Sequence, residues 1–304
     1  MPPPYHYYTS PTGWQAMMQW YAATLATFPS GVTCYHVTTR FGPTHLLAAG
    51  QADAPLLLLV HGSNVNALGW RHQITALSAH YRVIAPDVPG FAGRSAAMRL
   101  NDHNDDYAHW LADILDALAA PRALLAGSSS GGAFVLRFAA RYPERCAGLV
   151  LINPAGIVRF RYPYAWFRHP RSTWLLGTLS RHILGYRWFA RLMVRFGAGG
   201  NSQPDMSSTE MAYLLLRYFR RQPPPEVLPA QVLRQVDCRL LLLISDNDPY
   251  LHPQRLMNHA LSLFPHAKIA ILPHAGHDMH RDHPEVVNRR VMAFAEAVFA
   301  SETA

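Results

Sequence analysis

The chain has 304 residues, 50% of them hydrophobic and 15% charged, with a formal net charge of +8. That length and balance suit a large buried core and exclude a disordered polyelectrolyte. No apolar stretch approaches the ~20 residues needed to cross a bilayer, and three widely spaced cysteines, Cys34, Cys146 and Cys238, exclude a disulfide framework or a zinc spacing.

Residues 1–30 are rich in Pro, Tyr and Trp and lack the basic-then-apolar plan of a signal peptide, so a cytoplasmic location is expected. A helix over 14–26 is expected to wrap the outside of the body. Alternating stretches at 32–39 and 44–48, separated by Gly42-Pro43, read as an antiparallel hairpin at a sheet edge. Leu56-Leu57-Leu58-Leu59-Val60 is a continuous apolar run of the kind found in strands covered on both faces. It ends in His61-Gly62-Ser63-Asn64. A helix at 70–77, a strand at 81–85 and the turn Asp87-Val88-Pro89-Gly90 follow. Next comes a helix carrying Trp110, Leu111, Ile114, Leu115 and Leu118 at helical spacing. An apolar strand, 123–126, then leads into Gly127-Ser128-Ser129-Ser130-Gly131-Gly132, followed by a helix to Arg141 and a strand at 148–152. This alternation predicts an α/β fold, a mostly parallel sheet with helices on both faces.

The alternation stops after Asn153-Pro154-Ala155-Gly156. Residues 157–230 hold no apolar strand run, and helices are expected near 173–184, 187–196 and 208–219. No acidic residue lies between Glu144 and Asp205, while Arg159, Arg161, Arg168, Arg187 and further arginines alternate with Phe160, Tyr162, Trp166, Trp174, Trp188 and other aromatics. The segment reads as an inserted helical lid, leaving 1–156 and 231–304 as the core. Its aromatics are expected to roof an apolar pocket, and its arginines to allow weak contact with an anionic surface. The core then resumes with a strand at 239–245, a helix at 253–264, a strand at 268–272 and a last helix at 284–299.

Of the three consecutive serines only Ser129 has glycine both two residues before and two after, Gly127 and Gly131. A strand turning that sharply into a helix pushes the apical hydroxyl toward substrate, which makes Ser129 the candidate nucleophile. A serine needs a base, and the base an orienting carboxylate. In parallel sheets such groups sit at the carboxyl ends of strands. The strand at 239–245 ends in Asp246-Asn247-Asp248-Pro249, where two acids compete. Asp248, set before Pro249 and a helix start, is preferred. The strand before the insert ends in Asn153, which is not a carboxylate. The strand at 268–272 ends in Pro273-His274-Ala275-Gly276-His277, and His277 is the preferred base, with His274 and His280 behind it. The three-residue spacing of His274, His277, His280 and His283 could suggest a metal cluster. The segment is expected to run as a loop as far as Pro284, however, so these side chains share no regular face and no metal is expected.

With His61-Gly62, Asp87-x-Pro89-Gly90, the serine elbow, Asp246-x-Asp248 and Gly276-His277 in this order, the chain resembles the α/β-hydrolase fold superfamily over residues 32–300. It is most similar to lid-bearing carboxylesterase-like members. Ala92, where many relatives space a glycine more closely, and the small Ser128 are departures. The resemblance implies a cofactor-free Ser-His-Asp hydrolase whose oxyanion hole is formed by the backbone N–H groups of Ser63 and Ser130. The expected partner is a small-molecule ester with an apolar acyl group, and no nucleic-acid-binding module accompanies the basic charge. Carbon–carbon bond hydrolysis of a diketone by the same triad is the alternative. A ligand-binding protein of reduced turnover comes behind both.

Overall fold

The computed structural model describes residues 2–161, 185–199 and 206–300. Eight strands, β1 (Thr33–Thr39), β2 (Gly42–Ala49), β3 (Leu56–Val60), β4 (Arg82–Pro86), β5 (Ala123–Ser128), β6 (Cys146–Ile152), β7 (Leu240–Ser245) and β8 (Lys268–Leu272), form one sheet in the order β1-β2-β4-β3-β5-β6-β7-β8. β1 and β2 form the expected antiparallel hairpin, β2 is antiparallel to β4, and every pairing beyond β4 is parallel.

The period-2 geometry of a strand sends successive side chains to opposite faces. β3 shows why an all-apolar run is needed in the middle of such a sheet. Leu56, Leu58 and Val60 pack with Trp110, Leu111, Phe134 and Phe138 on one face, from α3 (Asp106–Ala117) and α4 (Ser130–Arg141). Leu57 and Leu59 pack on the other with Ile74, Leu77, Val291 and Phe294, from α2 (Arg71–Leu77) and the C-terminal helix Pro284–Ala300. Each fully buried side chain of this size contributes about 1.5–3 kcal/mol, so the two layers hold the strand ends in fixed register.

Several boundaries differ from the sequence reading. β5 continues beyond its apolar run because Gly127 and Ser128 still pair with Leu151 and Ile152 of β6. The helix expected at 70–77 begins earlier, as a 3₁₀ turn over Ala67–Trp70, because the Asn66 side chain accepts the Leu68 N–H at 3.2 Å. The N-terminal helix α1 (Pro11–Leu25) is not merely a wrapping. Met17 and Tyr21, one helical turn apart, are fully buried.

Of the insert, two helices are described, α5 (Tyr186–Gly197) and α6 (Met206–Tyr218). Arg187 of α5 pairs with Glu210 of α6. α6 also packs on the N-terminal segment, where the Thr9 N–H donates to Tyr218 O at 2.7 Å and Met17 joins Leu214 and Leu215 in a third apolar cluster. Trp188 is 51% exposed, so this aromatic does not pack down on the sheet. The helix expected at 173–184 and the aromatics Tyr162, Trp166 and Trp174 lie outside the described residues. Four helices complete the order among the described residues: α7 (Ala230–Leu233), α8 (Pro253–Leu263), α9 (Met279–Asp282) and α10 (Pro284–Ala300). α9 is a single turn where the sequence predicted loop as far as Pro284. Among the described residues no helix is long and apolar enough to cross a membrane.

Candidate active site

β5 delivers Ser129 into a turn with φ 51° and ψ −121°, a backbone conformation that costs an L-residue about 1–3 kcal/mol. The turn is closed by Gly132 N–H and Ala155 N–H, both donating to Ser129 O (2.9 and 2.8 Å), and by Ser129 N–H donating to Ile152 O (3.0 Å). The flanking glycines are steric necessities. A Cβ at Gly127 would stand 2.5 Å from Gly131 O, and one at Gly131 would stand 2.1 Å from Val60 O. Ser128 and Ser130 are buried, at 3% and 0% exposure, whereas Ser129 is half-buried. Only the middle serine therefore presents its hydroxyl.

The loop after β7 separates the two competing acids. Asp246 faces solvent, whereas Asp248 is buried. Asp248 Oδ1 accepts the N–H groups of Tyr250 (2.7 Å) and Leu251 (3.0 Å), and Oδ2 lies 2.7 Å from His277 Nδ1. Those two backbone donors fix the carboxylate so that its second oxygen can only face the imidazole. His277 itself is buried, with its N–H donating to Gly197 O at 2.7 Å. Burial opposes charge on this ring, but the Asp248 carboxylate, its hydrogen bond and the nearby Asp278 together raise the His277 pKa above the ordinary value. Tyr250 and Phe160 set their rings edge-on to the imidazole, with centroids 4.9 and 6.1 Å away.

The two histidines held in reserve go elsewhere. His274 is exposed, and His280 lies under Trp70 (centroids 4.6 Å apart), where burial pushes its pKa down to about 3. Among the described residues no group of three or more metal-ligating side chains converges.

The loop after β3 approaches the serine from the other side, so that a Cβ on Gly62 would lie 3.0 Å from Ser129 Cβ. Among the described residues no acceptor engages the N–H of Ser63 or of Ser130, and the two side-chain hydroxyls are hydrogen-bonded to each other. The loop is anchored through a neutral ring. His61 Nδ1–H donates to Gly62 O (2.8 Å) and Nε2 accepts the Val88 N–H (2.9 Å), while burial lowers its pKa. Asp87 holds the underside, with Oδ1 accepting Ala67 N–H (2.8 Å) and Oδ2 accepting Tyr21 OH (3.0 Å) and Arg94 N–H (2.9 Å). His45 Nδ1 lies 3.1 Å from the same Oδ2.

β5, β7 and β8 thus bring Ser129, Asp248 and His277 to one end of the sheet. Asp248 and His277 are in contact. Ser129 Oγ is hydrogen-bonded to nothing among the described residues, His277 included. Sequence reasoning missed the Tyr21–Asp87–His45 support, which has no local signature, and the ring of Tyr250, whereas Phe160 was among the aromatics expected to roof the pocket. It also passed over Asn153, although that residue ends a strand where an acid was being sought.

Comparison with known proteins agrees with this architecture. The model of the alpha/beta hydrolase family matches residues 57–290. Carboxylesterase YbfK of Bacillus subtilis is 31% identical over 283 residues, covering 91% of this chain and 92% of that protein. Its crystal structure superposes with a TM-score of 0.79 at 28% identity, over 93% of this chain and 98% of that one. The naproxen esterase structure from the same organism gives a TM-score of 0.77 at 26% identity, over 92% and 97%. A shorter match, 38% over 117 residues, covers 37% of this chain and 40% of the 2-hydroxy-6-oxo-6-phenylhexa-2,4-dienoate hydrolase of Burkholderia cepacia. With its family model matched over most of the core and its sheet order, serine turn and acid–base pair in place, the chain belongs to the alpha/beta hydrolase family.

Proposed function

We propose that the protein is a serine carboxylesterase. The observation that carries this reading is the buried Asp248–His277 pair at 2.7 Å, on the same sheet end as a strained, half-buried serine flanked by two unengaged N–H groups. A rotation of the Ser129 side chain on substrate binding would bring Oγ to the free Nε2 of His277, since such contacts tighten in the substrate complex. His277 takes the proton as Oγ bonds to the ester carbon, and the oxyanion is received by Ser63 N–H and Ser130 N–H. The tetrahedral adduct collapses as His277 passes the proton to the leaving alcohol. Water, deprotonated by the same ring, then cleaves the acyl-enzyme and frees the acid. The described end of the insert, Gly197 to Gly199, caps this centre, supported by the hydrogen bond from the His277 backbone N–H to Gly197 O and that from Asn247 Nδ2 to Gly199 O (2.6 Å). The rings of Tyr250 and Phe160 beside the base favour apolar acyl groups.

A panel of activated esters of graded acyl length, run alongside a meta-cleavage diketone, tests the assignment. Ester turnover is expected, strongest for apolar acyl groups. It should rise with pH through a midpoint above the ordinary imidazole value of about 6.5, because the base must be neutral and its pKa is raised. Turnover of the diketone alone would favour carbon–carbon hydrolysis, the second reading, which the partial match to the Burkholderia enzyme supports.

A further inference from the structure

β6 ends at Ile152, and the next residue, Asn153, is fully buried with φ 42°, in the left-handed region. Its backbone N–H continues the ladder by donating to Leu243 O at 3.0 Å. Its side chain is saturated with partners. Oδ1 accepts the Ser245 N–H (2.9 Å), and Nδ2 faces Ser245 Oγ (2.8 Å), His277 O (2.9 Å) and Gly276 O (3.3 Å). Ser245 Oγ in turn donates to Gly276 O. The amide orientation is dictated by chemistry, since a backbone N–H can only donate and a carbonyl oxygen can only accept. Asparagine meets this pattern, whereas an ionised carboxylate, being acceptor-only, would face two carbonyl oxygens. The same strand end also grips the nucleophile, because Ile152 O accepts Ser129 N–H and Ala155 N–H donates to Ser129 O.

We infer that Asn153 is a positioning residue for the base: its carboxamide fixes the Gly276-His277 backbone relative to the Ser129 turn. The inference rests on the serine-esterase reading. It adds that the distance from nucleophile to base is set by a side chain just past the end of β6, not by the Asp248 contact alone. Asp248 restrains the imidazole at Nδ1 and Gly197 O accepts the His277 backbone N–H, but neither contact reaches the strand end that grips Ser129; Asn153 ties the His277 carbonyl to it. A displacement of about 1 Å between reacting groups can cost on the order of 100-fold in rate.

The second-order rate of covalent labelling by a fluorophosphonate reads this directly, without knowledge of the natural substrate. Asn153→Ala is expected to slow labelling by about tenfold or more, while labelling still proceeds to one equivalent per chain. A rate within about twofold of the parent would overturn the inference. Asn153→Asp supplies a second readout. The ionisable groups facing this bracket are His277, Asp248 and Asp278, with Arg161 Nη1 3.5 Å from Asp248 O, and they are common to both proteins. The parent rate should therefore rise with pH and level off. The introduced carboxyl can donate to His277 O only while protonated, and burial raises its pKa. The variant should show a bell, with a falling alkaline limb the parent lacks. A profile of the parent's shape, or failure of both variants to fold, would make Asn153 a structural strut and sink the assignment. A parent that does not label at all indicts the nucleophile reading instead.

Discussion

Ser129→Ala is expected to lower ester kcat/KM by about 10,000-fold or more and to abolish fluorophosphonate labelling, with the melting transition unchanged or raised. The size of the loss follows from chemistry: without Oγ no acyl-enzyme forms, and only binding and the oxyanion donors remain. The neighbouring serines make the test specific. Ser128 is buried at the end of β5, and the role proposed for Ser130 belongs to its backbone N–H, which alanine retains. Ser130→Ala removes the hydroxyl contact with Ser63 yet should keep labelling and most turnover. Peptide mapping that finds the label on Ser128 or Ser130 would refute the nucleophile assignment.

Asp248→Asn should cost about 10,000-fold in kcat, whereas Asp246→Asn should stay within about twofold. The geometry explains why so small a change is so damaging. The N–H groups of Tyr250 and Leu251 demand an acceptor, so the amide oxygen of the new side chain must face them. Its NH₂ is then directed at His277 Nδ1, which becomes an acceptor, and the ring proton moves to Nε2. A ring protonated there cannot take a proton from Ser129. Asp246 faces solvent, and its N–H donates to Leu272 O, a bond that asparagine preserves. The reverse ranking of the two variants would show that the acid had been misplaced by two residues.

The parts of the fold that were legible in the sequence are those whose cause is local. The run Leu56 to Val60 is apolar at every position because both faces of its strand are covered, and a reader can see that without neighbours. Gly127 precedes Ser129 because a side chain there would collide with the backbone of Gly131, four residues on, whereas Gly131 answers to Val60 on β3 and was legible only through the Gly-x-Ser-x-Gly spacing. Asp248 and His277 stood out as polar groups at the carboxyl ends of apolar strands. What stayed hidden depends on chain segments far apart. Nothing near Asn153 announces that Gly276 and His277 will come to lie beside it. Tyr21 looked like one aromatic among many in a Pro-rich terminus until the fold set its hydroxyl against Asp87. Element ends shifted by two or three residues where a side-chain cap or further ladder pairs decided them, as at Asn66 and Ser128.

The left-handed turn at Ser129 has a consequence for anyone selecting variants by thermal tolerance. Only glycine accepts φ 51° with ψ −121° at little cost, so the hydroxyl is kept at a position where the backbone would prefer none. Ser129→Gly should relieve about 1–3 kcal/mol of strain, offset by about 0.5–1 kcal/mol from the greater freedom of glycine in the unfolded chain. Scanning calorimetry should therefore show the inactive glycine variant melting a few degrees higher than the parent, and a lower transition would mean that the turn is not strained. A screen that rewards heat resistance without assaying turnover would drift toward that substitution and discard the reaction while improving the fold.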